Sequence, residues 1–260
     1  MRFLVTLLCT LGLGVAAQAA EPVTMTFIAG SGYIVSQGDF KVAIDALALA
    51  EIPAATHALM TAASSPFDVD LILVTHSDHD HFDPATVSRH MTANPGAMFV
   101  APLDAVRAVQ ALAPTVASER LVVVHPSAET PQIVEVAGLT IDVFSFPHPS
   151  GGPENVGYRF RLGGLIFVHP GDLNLDTVAA DLARTGIEQI PCDVLIVPYY
   201  SFGYGYWSRV PGWRARLYAP THASLYDLRL ACTLARRVTS NVLCFASSLE
   251  TKVIELAPQP

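Results

Sequence analysis

Basic side chains are in short supply in this sequence: 15 Lys and Arg stand against 23 Asp and Glu, a formal net charge of −8 over 260 residues. So acidic a chain is poorly suited to neutralise phosphates, and general nucleic-acid binding is not expected. Cysteine is scarce too, with four in all. Cys9 falls in the apolar N-terminal segment, and the bulky Leu8 before it does not fit a lipoprotein processing site. Cys192, Cys232 and Cys244 remain, an odd number that cannot pair completely within the chain. They read as buried apolar residues with room for one disulfide, whose pairing the sequence leaves open. Repeats, low-complexity tracts and linker-like stretches are missing. With 51% hydrophobic residues, one substantial core and a single domain over 21–260 are the expectation.

The apolar stretch from Phe3 to Val15 is too short for a typical membrane span. Preceded by Arg2 and followed by the small residues Ala16 to Ala20, it has the form of a secretory signal peptide over 1–20, with an uncleaved anchor as the alternative. Removal would take Arg2 with it and carry the net charge from −8 to −9. The mature protein is then expected to be secreted, in the periplasm, without a stable membrane anchor.

What the chain does have is a series of short β-branched and aromatic runs. These predict strands over 23–29, 32–35, 40–44, 70–75, 97–100, 121–125, 132–136, 139–146, 156–162, 165–169, 193–198, 217–220 and 241–246. Helical patterns fall over 84–93, 103–113, 177–184 and 226–238. The mixture is α/β with many hairpins. Glycine marks two of the turns, at Gln37-Gly38-Asp39 and Leu162-Gly163-Gly164.

Directly after the apolar run 70–75 comes His76-Ser77-Asp78-His79-Asp80-His81, a block of metal-ligating and small polar side chains, followed by the helix start Asp83-Pro84. A strand end holds its backbone rigid while the following turn splays several side chains toward one point, as a metal site requires. Three further segments place a ligand-type residue just beyond a predicted strand: His148, Asp172 in Gly171-Asp172, and His222 in Pro220-Thr221-His222. Ligands from separate strand ends can converge on one edge of a folded sheet, as binuclear hydrolases require.

These motifs, in this order, resemble the metallo-β-lactamase-fold superfamily of metal-dependent hydrolases, from about Val23 to near the end of the chain. The nearest branch is that of the L-ascorbate 6-phosphate lactonases. The resemblance implies a four-layer αββα sandwich, an α/β fold of the α+β kind. It also implies two divalent metal ions, zinc first, with manganese or iron as further options. By this resemblance His76, Asp78 and His148 would bind one ion and Asp80, His81 and His222 the other, with Asp172 bridging. Asp80 and Asp172 would also be the catalytic carboxylates. The family places histidine where Asp78 stands. Carboxylate oxygen still binds zinc, and two histidines with one carboxylate also suit iron or manganese. The extra anion should raise the pKa of a metal-bound water. A rival set, His76, His79 and His81, would leave Asp78 as a turn residue.

Other residues have plainer readings. His57, His90 and His125 lie outside the motifs and read as structural or surface histidines. His169 is expected either to orient Asp172 or to sit in the core, and Asp45 to accept turn N–H groups or steady a ligand histidine. Ser77 and Ser150 have no nucleophile-elbow context. The loop from Tyr199 to Trp213 is a candidate pocket wall or lid, with packing against the domain or a neighbouring subunit as the alternative. Arg209, Arg214 or Arg216 would be placed to meet an anionic group of a small-molecule substrate. The expectation is a secreted hydrolase whose metal-bridging hydroxide attacks an ester, lactone, amide or phosphoester. The alternatives are an iron-dependent redox enzyme on the same fold, or a non-catalytic metal- or ligand-binding protein.

Overall fold

The computed structural model describes residues 21–49, 52–203 and 213–257. The expected signal segment 1–20, and the stretch of the aromatic loop that carries Arg209, lie outside the described residues. Two sheets form the centre. The first takes β1 (Val23–Phe27), β2 (Tyr33–Gln37), β3 (Phe40–Ile44), β4 (Leu71–Leu73), β5 (Met98–Pro102), β6 (Leu121–Val124) and β13 (Thr251–Val253), in the order β13-β1-β2-β3-β4-β5-β6. The second takes β7 (Gln132–Val136), β8 (Leu139–Phe146), β9 (Asn155–Leu162), β10 (Leu165–His169), β11 (Val194–Pro198) and β12 (Leu217–Thr221), in the order β12-β11-β10-β9-β8-β7. Strands β3 to β6 run parallel, as do β10 to β12.

Strand alternation divides the apolar residues among three cores. Leu71 and Leu73 of β4 join Ile141, Val143, Phe167 and Ile196 between the sheets. Ile72, facing the other way, packs with Met60, Val87, Met91 and Val109 from α1 (Ala54–Thr61), α2 (Pro84–Ala93) and α3 (Leu103–Leu112). On the outer face of the second sheet, Phe144, Phe146 and Leu195 pack with Val178, Leu182 and Ala235 from α4 (Val178–Thr185) and α5 (Leu228–Val238). Helices, sheet, sheet and helices thus form the four-layer sandwich that the motifs imply. No helix among the described residues is long and apolar enough to cross a membrane.

Several elements depart from the sequence pattern. β4 spans three residues: Val74 N still donates to Val100 O of β5 at 3.1 Å, but Thr75 N leaves the ladder and donates to the Asp45 side chain at 2.8 Å. α1 escapes prediction because its N-cap is Pro53 and no acidic side chain lies in its first turn. Segment 241–246 is not a strand. It makes one bridge, between Tyr218 and Val242, and Cys244 is bonded to Cys232 of α5. Cys192 is free and buried. The disulfide closes a 12-residue separation, and its removal in Cys232→Ser is expected to cost about 3 kcal/mol in denaturant unfolding.

Candidate metal centre

The parallel strands of both sheets deliver their C-terminal ends to one edge, and the donor residues sit just past those ends. His76, Asp78, Asp80 and His81 occupy the turn from β4 to α2. Asp83 caps α2 by accepting from Thr86 N at 2.6 Å, with Pro84 in the first turn, so the turn is fixed at both ends. His148 follows β8, Asp172 follows β10 and His222 follows β12. Asp45 after β3 and His222 hold φ of 47° and 59°, an uncommon conformation for residues other than glycine.

The structure brings the seven side chains together in groups. His148 Nε2 lies 3.3 Å from Asp78 Oδ2, and His76 Nε2 lies 3.9 Å from the same oxygen. In the second group Asp80 Oδ2 is 3.1 Å from His222 Nε2 and 3.7 Å from His81 Nε2. Asp172 stands between the groups. Its Oδ1 is 3.3 Å from His81 Nε2, and its Oδ2 is 3.3 Å from His222 Nε2 and 3.8 Å from His148 Nε2. Donors about 2.0–2.2 Å from a tetrahedral ion stand roughly 3.3–3.6 Å apart, so the spacing suits metal. The chemistry agrees. His76 Nε2, His148 Nε2 and Asp172 Oδ1 are buried without a hydrogen bond, a costly arrangement that a cation would relieve. His79 is exposed and belongs to none of the donor groups found among the described residues.

Hydrogen bonds behind these donors turn their free nitrogens inward. His148 Nδ1 is 2.8 Å from Ser150 Oγ, and His76 Nδ1 is 3.0 Å from Thr75 Oγ1. Asp45 is buried at the hub: it takes His81 Nδ1 at 2.8 Å, Thr75 Oγ1 at 2.7 Å and His169 Nε2 at 3.0 Å. His169 Nδ1 in turn meets Ile196 O at 3.0 Å. His169 therefore supports Asp45 rather than Asp172, because β10 ends its register at His169 and the Pro170-Gly171 turn carries Asp172 away. Asp45→Asn keeps the shape but weakens the anchor of His81. It is expected to lower metal affinity about 10- to 100-fold in chelator competition.

Electrostatics in the metal-free centre are correspondingly displaced. Burial alone would lower His81, but Asp45 and Asp172 override it and raise the imidazole to about 10. His222, likewise opposed by burial, is raised to about 9 by Asp172 and Asp80. Burial, with the positive His81 nearby, lowers His76 to about 3. Asp80 falls to about 2 and Asp172 lower still, since their contacts with His222 and His81 outweigh the opposing effect of burial. Protons on His81 and His222 thus hold the places that cations would take.

A family profile described as the beta-lactamase superfamily domain matches residues 24–211. The chain belongs to the beta-lactamase superfamily. No curated protein sequence gives a significant match. Among solved structures, the superfamily fold is shared with Igni18, a metallo hydrolase from Ignicoccus hospitalis. That pair is 17% identical with a TM-score of 0.59, over 90% of this chain and 99% of the other. It is shared with an isothiocyanate hydrolase from Delia radicum gut bacteria at 14% identity and TM-score 0.54, over 89% and 99%. CmlA, a diiron β-hydroxylase from Streptomyces venezuelae, gives 10% identity and TM-score 0.57 over 91% of this chain and 54% of its own.

Beside the donor groups lies a cavity of about 450 Å³ lined by Gly30, His79, Asp80, Tyr199, Tyr200, His222, Ser224 and Asp227. The described residues of the aromatic loop divide between its two expected roles. Tyr199 and Tyr200 form the wall, with the Tyr200 ring edge-on to His222 at 5.4 Å, whereas Phe202 and Trp213 are buried in the outer core. Arg216 does not reach the cavity. It precedes β12 while His222 follows it, and it is held by Asp193 and Ala257 O. Arg214 also stands before β12, at the end away from His222. Of the other histidines, His90 is buried on Met60 O, His57 meets Thr86 and His125 pairs with Glu154.

Two residues escape the sequence reading. Ser31 is buried with its hydroxyl 2.9 Å from His81 Nε2, and Asn155 is buried beside the backbone of Asp172. Ser31 looks like part of a small-residue turn, Gly30-Ser31-Gly32. Asn155 is one polar residue opening an apolar strand, a weak signal that becomes informative only once the strand is known to be buried.

Proposed function

We propose that this protein is an exported metal-dependent hydrolase acting on an ester, lactone, amide or phosphoester bond of a small molecule. The carrying observation is the convergence of seven donors, three of their atoms buried without hydrogen bonds. His76, Asp78 and His148 would hold one divalent ion, and Asp80, His81 and His222 a second, with Asp172 shared. Ions so held would supply Lewis acidity to the scissile group and would acidify water there. The chain's own residues do the rest. Asp45 and Thr75 fix the His81 ring, and Ser150 fixes His148. Tyr199 and Tyr200 wall a cavity whose volume suits a small molecule. The Cys232–Cys244 disulfide supports export, because such bridges persist mainly in oxidising compartments, and an N-terminal signal segment at 1–20 agrees with it.

A second reading, iron-dependent oxidation, is favoured by the three carboxylates among the seven donors, since such sets also suit iron. One experiment separates the two. Protein purified without added metal is assayed on a panel of esters, lactones, β-lactams, amides and phosphodiesters, before and after chelation. Metal-dependent cleavage supports hydrolysis. Bound iron with no cleavage of any member supports the second reading.

A further inference from the structure

Asn155 opens β9 and is 2% exposed. Its side chain faces both polar groups of one backbone unit: Nδ2 donates to Asp172 O at 2.9 Å, and Oδ1 accepts from Asp172 N at 3.2 Å. The same Nδ2 lies 3.3 Å from Pro170 O and 3.4 Å from Phe146 O, so its two hydrogens serve three carbonyls. This fixes the amide's orientation, because the reverse assignment would set Oδ1 against three carbonyl oxygens. Asp172 is the residue shared between the two donor groups, and Phe146 is two residues before His148.

The neighbouring backbone is shaped around this amide. Gly171 holds φ of +69°, and a Cβ there would fall 2.2 Å from Asn155 Oδ1. At Gly157 a Cβ would meet Phe146 and Pro170 Cα at 2.9 Å. Next to Asn155, Val156 N donates to Thr75 O at 3.0 Å, one residue before His76. Three donor-bearing segments from both sheets are therefore tied to the first two residues of β9.

We propose that Asn155 is a positioning residue: by gripping the Asp172 backbone and the Phe146 carbonyl, it sets the Asp172 carboxylate between the two donor groups. It touches neither substrate nor metal, and the inference rests on the two-ion reading above. A merely structural asparagine would contribute stability alone. The positioning role requires that donor geometry change when the amide is lost, even in protein that remains folded.

The test compares cobalt(II) uptake in the full-length wild type, Asn155→Asp, Asn155→Ser and Tyr158→Phe. Tyr158 lies on the same strand, and its hydroxyl donates to Val74 O at 2.7 Å, so its loss perturbs the fold without releasing Asp172. Asn155→Asp is expected to bind cobalt about 10- to 100-fold more weakly, with an altered visible absorption spectrum. Asn155→Ser retains one donor and should fall between it and wild type. Tyr158→Phe should lower the melting temperature alone. If Asn155→Asp does not fold, Asn155→Ser decides. A folded Asn155→Ser with wild-type cobalt affinity and spectrum would overturn the role of Asn155, and a wild type that takes up no cobalt would overturn it together with the two-ion reading.

Discussion

Asp172→Ala is expected to reduce turnover by on the order of 10³-fold or more and to lower metal content at the same time. The reasoning is electrostatic. Among the described residues, Asp172 is the one carboxylate within 4 Å of histidines from both donor groups, with His148 at 3.8 Å and His81 and His222 at 3.3 Å. Its loss removes a negative charge from the place where two cations would be closest, so their mutual repulsion is left uncompensated in a buried setting. Several kcal/mol of Lewis-acid stabilisation would go with the displaced ion, and about 4 kcal/mol corresponds to about 10³ in rate. His81→Ala should behave alike through loss of a donor, whereas His79→Ala, outside every donor group, should retain metal. Turnover assays paired with elemental analysis of each variant check this. Full metal content and full turnover in Asp172→Ala would contradict it.

The metal-free protein is expected to be most stable near pH 6.5 and to weaken on both sides, with the alkaline loss abolished by metal. His81 and His222 are raised from an ordinary value of 6.5 to about 10 and about 9. Their contribution is complete below 6.5 and is lost as the pH rises through 9 to 10. His76 is lowered to about 3, so its contribution is present above 6.5 and is lost as the pH falls toward 3. Asp80, lowered from 3.8 to about 2, adds a loss only at the acid extreme. Between pH 6.5 and 9.5 the melting temperature of the metal-free protein should drop by on the order of 5 °C or more. Loading at pH 7 should release about two protons, those of His81 and His222, because only the neutral imidazole ligates. Calorimetric titration with zinc in buffers of different ionisation enthalpy measures that number. Uptake without proton release would contradict the protonation of these two histidines in the metal-free centre.

The sequence displays the donors more openly than their supports. A block such as His76 to His81 after an apolar run is conspicuous because metal chemistry admits few side-chain types. The strand ends before His148, Asp172 and His222 can be read from β-branched alternation. Asp45 could be suspected from its place after Val42-Ala43-Ile44, but its bond to His169 joins residues 124 apart and only the packed sheets create it. Asn155 and Ser31 are similar, being ordinary polar residues whose value arises from what the second sheet and the first turn bring beside them. The same holds for error. Arg216 follows an aromatic loop in sequence, yet the direction of β12 places it at the end of the strand opposite His222. α1 and β13 are not legible in the sequence because such short elements carry little periodicity, while segment 241–246 has strand-like composition but follows the disulfide instead.

Asp78 gives the centre its particular character. Its Oδ2 sits 3.3 Å from His148 and 3.9 Å from His76, where the motif resemblance implies a third histidine, so three carboxylates would face two divalent ions. That composition leaves metal identity as the property to measure first. Elemental analysis of protein purified without added metal, with zinc, iron and manganese counted per chain, tests the two-ion centre most directly. Two divalent ions per chain, falling to one or none in His148→Ala and His222→Ala, is the predicted result. A wild-type protein that holds only one ion, or none, after exposure to all three would contradict it.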